Sequence, residues 1–160
     1  MPAKKSKKIS EIMIVKVITF SIEDTLETVA EKFVKNGISG APVINDKSEV
    51  IGIVSENDLL KALRACATKM DMIFPSAHNL GVYFEKSVDF SKIDKTFEKL
   101  GKLTVNEIMK TNVITLTPDD DVMKAGKTLL EKGVNHIPIL KDKKLVGIVA
   151  REDIIRGLVN

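Results

Sequence analysis

PVINDKSEVIGIVSEND, residues 42–58, returns as PILKDKKLVGIVARED at residues 138–153. Each version carries a short apolar run with a proline, then a polar stretch, then a second apolar run through Gly-Ile-Val. An aspartate closes both, four residues after the valine. The match extends outward. ISEIM at 9–13 answers VNEIM at 105–109, VITFSIEDTL at 17–26 answers VITLTPDDDV at 113–122, and Gly37 answers Gly133. The offset is 96 residues as far as Pro42 and Pro138 and 95 from Gly52 and Gly147 onward, so one residue is lost between them. A duplication of this size sets the architecture, and any cleft between the copies is formed twice by equivalent residues.

In the first copy, residues 17–20 are a β-branched and aromatic run. Ser21 with Asp24 has capping-box spacing. Leu26, Val29, Ala30, Phe33 and Val34 then follow the helical period until Gly37. Residues 41–44 and 50–55, joined by a polar stretch, read as a hairpin. A second helix follows from about Ser55 and turns Leu59, Leu60 and Leu63 inward, with Cys66 continuing that apolar face as a core residue. The second copy predicts a strand at 113–116, a cap at Thr117 with Pro118 in the first helical position, a hairpin over 136–140 and 145–149, and a last helix over 152–158. Short helices at 11–13 and 106–109 lead in. The fold class is α+β, as two β-α-β-β-α repeats about a pseudo-twofold axis. One small sheet cannot bury both its faces alone, so the copies form one two-lobed unit. The expected division is a basic flexible tail at 1–8, repeats at 9–63 and 104–160, and a linker at 64–103.

Composition bounds the function. The 160 residues are 44% hydrophobic and 29% charged, as in a soluble globular protein. No apolar run nears the ~18 residues of a membrane span, and the N-terminus lacks the apolar stretch of a signal peptide, which points to the cytoplasm. The net charge of +3 owes four lysines to the first eight residues; without them 21 basic face 22 acidic side chains. A near-neutral body argues against a nucleic-acid surface, leaving the lysine tail as the one place for an anionic partner. Twenty-two lysines against three arginines, with no glutamine, lean towards a heat-adapted source; eight asparagines lean the other way.

The ordered set "EIM", helix-ending glycine, apolar-Pro-apolar strand and Gly-Ile-Val-x-x-x-Asp, occurring twice, resembles the cystathionine-β-synthase (CBS) domain family in its paired form, the Bateman module. The resemblance covers about residues 9–63 and 104–159. It implies a regulatory sensor that binds an adenosine-containing ligand (AMP, ADP, ATP or S-adenosylmethionine type) in the cleft between repeats. It also implies a homodimer and an unidentified protein target. No domain-sized segment flanks the pair, so a stand-alone module is expected.

For a ligand at Asp58, that carboxylate suits the ribose hydroxyls, and Ser55 and the helix start suit phosphate. By the resemblance, the adenine lies against Ile14, Val15, Ile38 and Ser39, Asn135 and His136 face the phosphate, and Pro42 is also a residue of the site. A second, weaker site is expected at Asp153 with Lys110, Thr111, Val134, Pro138 and Arg151, because Ala150 has no hydroxyl. Ser55-x-x-Asp58 is equally a capping box, and His136 equally a strand residue without a ligand. A dimerising scaffold that needs no ligand is thus the alternative. No catalytic or metal-ligating residue is assigned. Asp119, Asp120 and Asp121 read as acids of a helix's first turn, and no phosphate-loop, nucleophile-elbow or Cys-x-x-Cys motif occurs, so no enzyme and no required cofactor are expected. Five of the seven aromatics lie between residues 74 and 97. Ser91 and Asp94 there begin a short helix with Ile93, Phe97 and Leu100 on one face, which packs on the repeats, joins a dimer or covers a cleft.

Overall fold

The computed structural model describes residues 7–69 and 90–159. Each repeat opens its globular part with a helix, α1 (Leu26–Asn36) or α5 (Val122–Lys132). Both helices stop at a glycine in the left-handed region, Gly37 at φ 60° and Gly133 at φ 62°, a conformation that favours glycine. An antiparallel hairpin follows, β1 (Gly40–Ile44) with β2 (Val50–Ser55), or β3 (His136–Lys141) with β4 (Lys144–Ala150). The helices α2 (Glu56–Lys69) and α6 (Arg151–Val159) complete the repeats. The residue lost between copies is in the hairpin turn. The second turn is Asp142-Lys143 alone, both at positive φ, as a two-residue turn demands.

The expected strands at 17–20 and 113–116 are reduced to single parallel bridges, Phe20 to Val43 and Leu116 to Ile139. Ser21 and Thr117 do not cap helices. Asp24 accepts the Ser21 N–H at 2.9 Å and Asp120 the Thr117 N–H at 2.7 Å, closing turns ahead of the helices, with Pro118 inside one of them. The caps are Thr25, accepting from Thr28 N at 3.2 Å, and Asp121, accepting from Met123 N at 2.6 Å. Val34 and Leu60, expected inside, are exposed, and Cys66 is half-buried rather than core.

The lead-ins are exchanged between repeats. The short 3-10 turn Ile9–Glu11 lies in the core of the second repeat, where Ile9 packs with Ala125, Leu129, Ile137, Ile139 and Val149. Conversely α4 (Val105–Ile108) lies in the core of the first, where Val105 packs with Phe20, Val29, Phe33, Val43 and Val54. Backbone bonds fix both crossings: Ile9 N to Asp120 O at 2.9 Å and Val105 N to Asp24 O at 2.8 Å. Lys7 and Lys8 also belong to this crossing and not to a free tail. Val122 N donates to Lys7 O at 3.0 Å, and Lys8 pairs with Asp119 at 2.8 Å.

The linker's helix α3 (Phe90–Gly101) packs on α1 and α2. It includes Ser91 within its span, buries Thr96, and leaves Phe97 exposed. Lys4, Lys5, Phe74, His78, Tyr83 and Phe84 lie outside the described residues.

Candidate ligand-binding site

The pseudo-twofold axis passes where β1 and β3 begin side by side. Ser39 Oγ and His136 Nε2 are 3.0 Å apart across it. Gly40 permits this approach, since a Cβ there would lie 2.5 Å from His136 Nδ1. Burial pushes the His136 imidazole below its ordinary pKa, against the pull of Glu56, Asp153 and Glu152. A neutral imidazole is a hydrogen-bonding group here, not the counter-charge for a phosphate. It also has a stability consequence. The unfolded chain holds the extra proton, so the folded state keeps full stability above the ordinary histidine range and loses it as pH falls through that range. His136→Gln should flatten this loss between about pH 7 and 5; chemical denaturation across that window checks it, and an unchanged slope refutes it.

On one side of this contact the two repeats flank a half-open cavity of about 420 Å³. Ile14, Ile18, Ile38 and Ile148 give its apolar wall, and Ser39, Asn135, His136, Arg151 and Asp153 its polar side. Asp153 is 3% exposed and sits in the first turn of α6. Its Oδ2 accepts the Ala150 N–H at 2.7 Å, and its Oδ1 lies 3.3 Å from Arg156 on the same helix.

The sequence expectation grouped Ile14, Ile38, Ser39, Asn135 and His136 with Asp58; the fold groups them with Asp153. Exchange of the lead-ins is the reason. Ile14 pairs with Ile148 in the second repeat, and its counterpart Lys110 pairs with Ile53 in the first. Lys110 therefore belongs to the Asp58 end, with its Nζ 3.7 Å from Asp58 Oδ1. Asp58 is 5% exposed and acts as a cap: its Oδ2 accepts from Ser55 N at 2.9 Å and Ser55 Oγ at 2.6 Å. Of the other expected contacts, Val15 and Thr111 are exposed, Pro42 and Pro138 are fully buried within their strands, and Val134 packs on the second core. The expectation missed Lys16, Val17, Ile18, Ile148 and Glu152, which also line the cavity. Ile148, in the Gly-Ile-Val run, was the one with a usable signal: it alternates with buried Gly147 and Val149 and so faces away from the core.

Among the described residues, no group of three or more His, Cys, Asp or Glu side chains is placed to hold a metal ion, and no helix is long and apolar enough to cross a membrane.

These features, two hairpin-and-helix repeats facing each other over a seam, define a paired-repeat module. A family model of the CBS domain matches residues 9–65 and 105–160, and the chain belongs to the CBS domain family. It is 31% identical over 155 residues to the uncharacterized protein MJ1426 of Methanocaldococcus jannaschii, covering 94% of this chain and 90% of that one. Other curated relatives are longer, the chain spanning 43% and 63% of two of them. The fold is similar to that of the CBS domain pair of protein MJ0100 in complex with 5′-methylthioadenosine and S-adenosyl-L-methionine (TM-score 0.70, 22% identity, 96% of this chain and 97% of that one). It is also similar to that of CBSX2 in complex with AMP (TM-score 0.68, 22% identity, 95% of this chain and 96% of that one), a protein of Arabidopsis thaliana.

Proposed function

We propose that this chain is a regulatory module that binds an adenosine-containing ligand, of the AMP or S-adenosylmethionine type, in the cavity at Asp153. The observation that carries it is that cleft, built from both repeats around a buried carboxylate. At about 420 Å³ it falls within the ~300–1,000 Å³ of small-molecule pockets. The isoleucine wall suits a purine face. A carboxylate at the mouth of a helix suits ribose hydroxyls, which donate to it. Arg151, Lys16 and the free N–H groups at the start of α6 suit an anionic or polar tail. The two related folds bound to methylthioadenosine, S-adenosylmethionine and AMP support the ligand class. A ligand touching both repeats shifts their relative orientation only as far as it prefers one orientation, and that shift is what a partner reads.

A ligand-independent dimerising scaffold is favoured by one observation. The α5–α6 face leaves Met123 and Leu130 exposed, 69% and 77%; on the first repeat α3 lies beside Leu26, Glu27, Ala30 and Leu59, while Val34, the counterpart of Leu130, stays exposed. Calorimetric titration with AMP, S-adenosylmethionine and methylthioadenosine separates the two. Binding should weaken about ten- to a hundredfold in Asp153→Asn, the loss of a charged hydrogen-bond acceptor, and stay within about twofold in Asp58→Asn. Absence of heat with all three compounds would leave the scaffold.

A further inference from the structure

The two ends of the seam share a backbone arrangement, and one of the side chains in which they differ stands directly at the aspartate. Ile14 bonds Ile148 through N–H···O contacts of 2.9 and 3.0 Å, and Lys110 bonds Ile53 through two of 2.9 Å. At the Asp153 end the residue in this position is an isoleucine that lines the cavity. At the Asp58 end it is a lysine whose Nζ reaches Asp58 Oδ1 at 3.7 Å. Ser55 occupies Oδ2 through two hydrogen bonds, so both oxygens of Asp58 are engaged. Both oxygens of Asp153 are engaged too, Oδ2 by the Ala150 N–H and Oδ1 by Arg156, but here the cation comes from the aspartate's own helix and leaves the lead-in position to Ile14.

We propose that Lys110 closes the Asp58 end to adenosine-containing ligands, so that the chain holds one working site and not two. This rests on the function proposed above. Lys110 acts in two ways: it replaces an apolar wall by a charged stem, and it stands where ribose hydroxyls would bond. Because the lysine is tethered, it competes for the aspartate at every ligand concentration, and a nucleoside must displace it to enter. The lysine side chain is 51% exposed, so its replacement leaves the cores untouched.

The test is calorimetric stoichiometry with AMP and with S-adenosylmethionine on wild type, Lys110→Ile and Lys110→Met, each first shown by thermal melting to be folded. Wild type should take one equivalent. Both variants should take two, with the second at an affinity within about tenfold of the first, and Asp58→Asn added to Lys110→Ile should remove that second equivalent. One equivalent in wild type and in both variants overturns the closure while leaving the proposed function standing. Two equivalents in wild type do the same. No binding to any of these proteins overturns both.

Discussion

Ile9→Ala should destabilise the second repeat by about 2–5 kcal/mol, although Ile9 precedes every other described element of the first. Its side chain is fully buried among Ala125, Leu129, Ile137, Ile139 and Val149, and truncation leaves a cavity that those neighbours cannot collapse into. For a chain of this size the melting temperature should fall by roughly 10 °C. Location separates this from an ordinary core mutation. Backbone amides of β3 and β4 should exchange faster well before those of β1 and β2, because local openings follow the packing that is lost. Val105→Ala is the mirror experiment, since Val105 is fully buried in the first core and should expose β1 and β2 first. Faster exchange confined to β1 and β2 in Ile9→Ala would refute the exchange of lead-ins.

That exchange was also what the sequence left open. ISEIM and VNEIM are so alike that either satisfies either core, and apolar periodicity carries no label saying which copy it serves. Local chemistry was legible: the glycines at positive φ, the hairpins and the aspartate of each final helix all stand where turn and cap rules put them. Caps of the first helices were misread because Ser21-x-x-Asp24 and Thr117-x-x-Asp120 make the bonding pattern of a capping box within a turn, one turn too early. The short runs at 17–20 and 113–116 have strand composition, but each finds a single partner residue, so composition outran pairing. The candidate site followed the same line. Its residue types were read from the sequence, while their grouping around Asp153 depended on the crossing.

Gly147→Val should injure both the fold and the site, whereas Gly52→Val should injure the fold alone. Neither glycine has positive φ, so the need is for room. A Cβ at Gly147 would stand 2.6 Å from Met13 Sδ and 3.2 Å from Ile14 O; at Gly52 it would stand 2.5 Å from Met109 Sδ and 3.2 Å from Lys110 O. A methionine end can swing away, but the carbonyls are held in the bridges that fasten each lead-in to the opposite hairpin. Valine adds two further methyl groups, and overpacking of this kind costs about 1–3 kcal/mol in either variant. The functional consequences diverge because Ile14 is a wall of the Asp153 cavity and Lys110 is not. Displacing Ile14 from Ile148 widens the slot assigned to the purine, and adenosyl affinity should fall at least tenfold in Gly147→Val. In Gly52→Val it should stay within about threefold, since the damage falls at the far end of the seam. Thermal melts with calorimetry on the two variants read both quantities. Equal loss of affinity in the pair, or Gly147→Val binding like wild type, would remove Ile14 from the site.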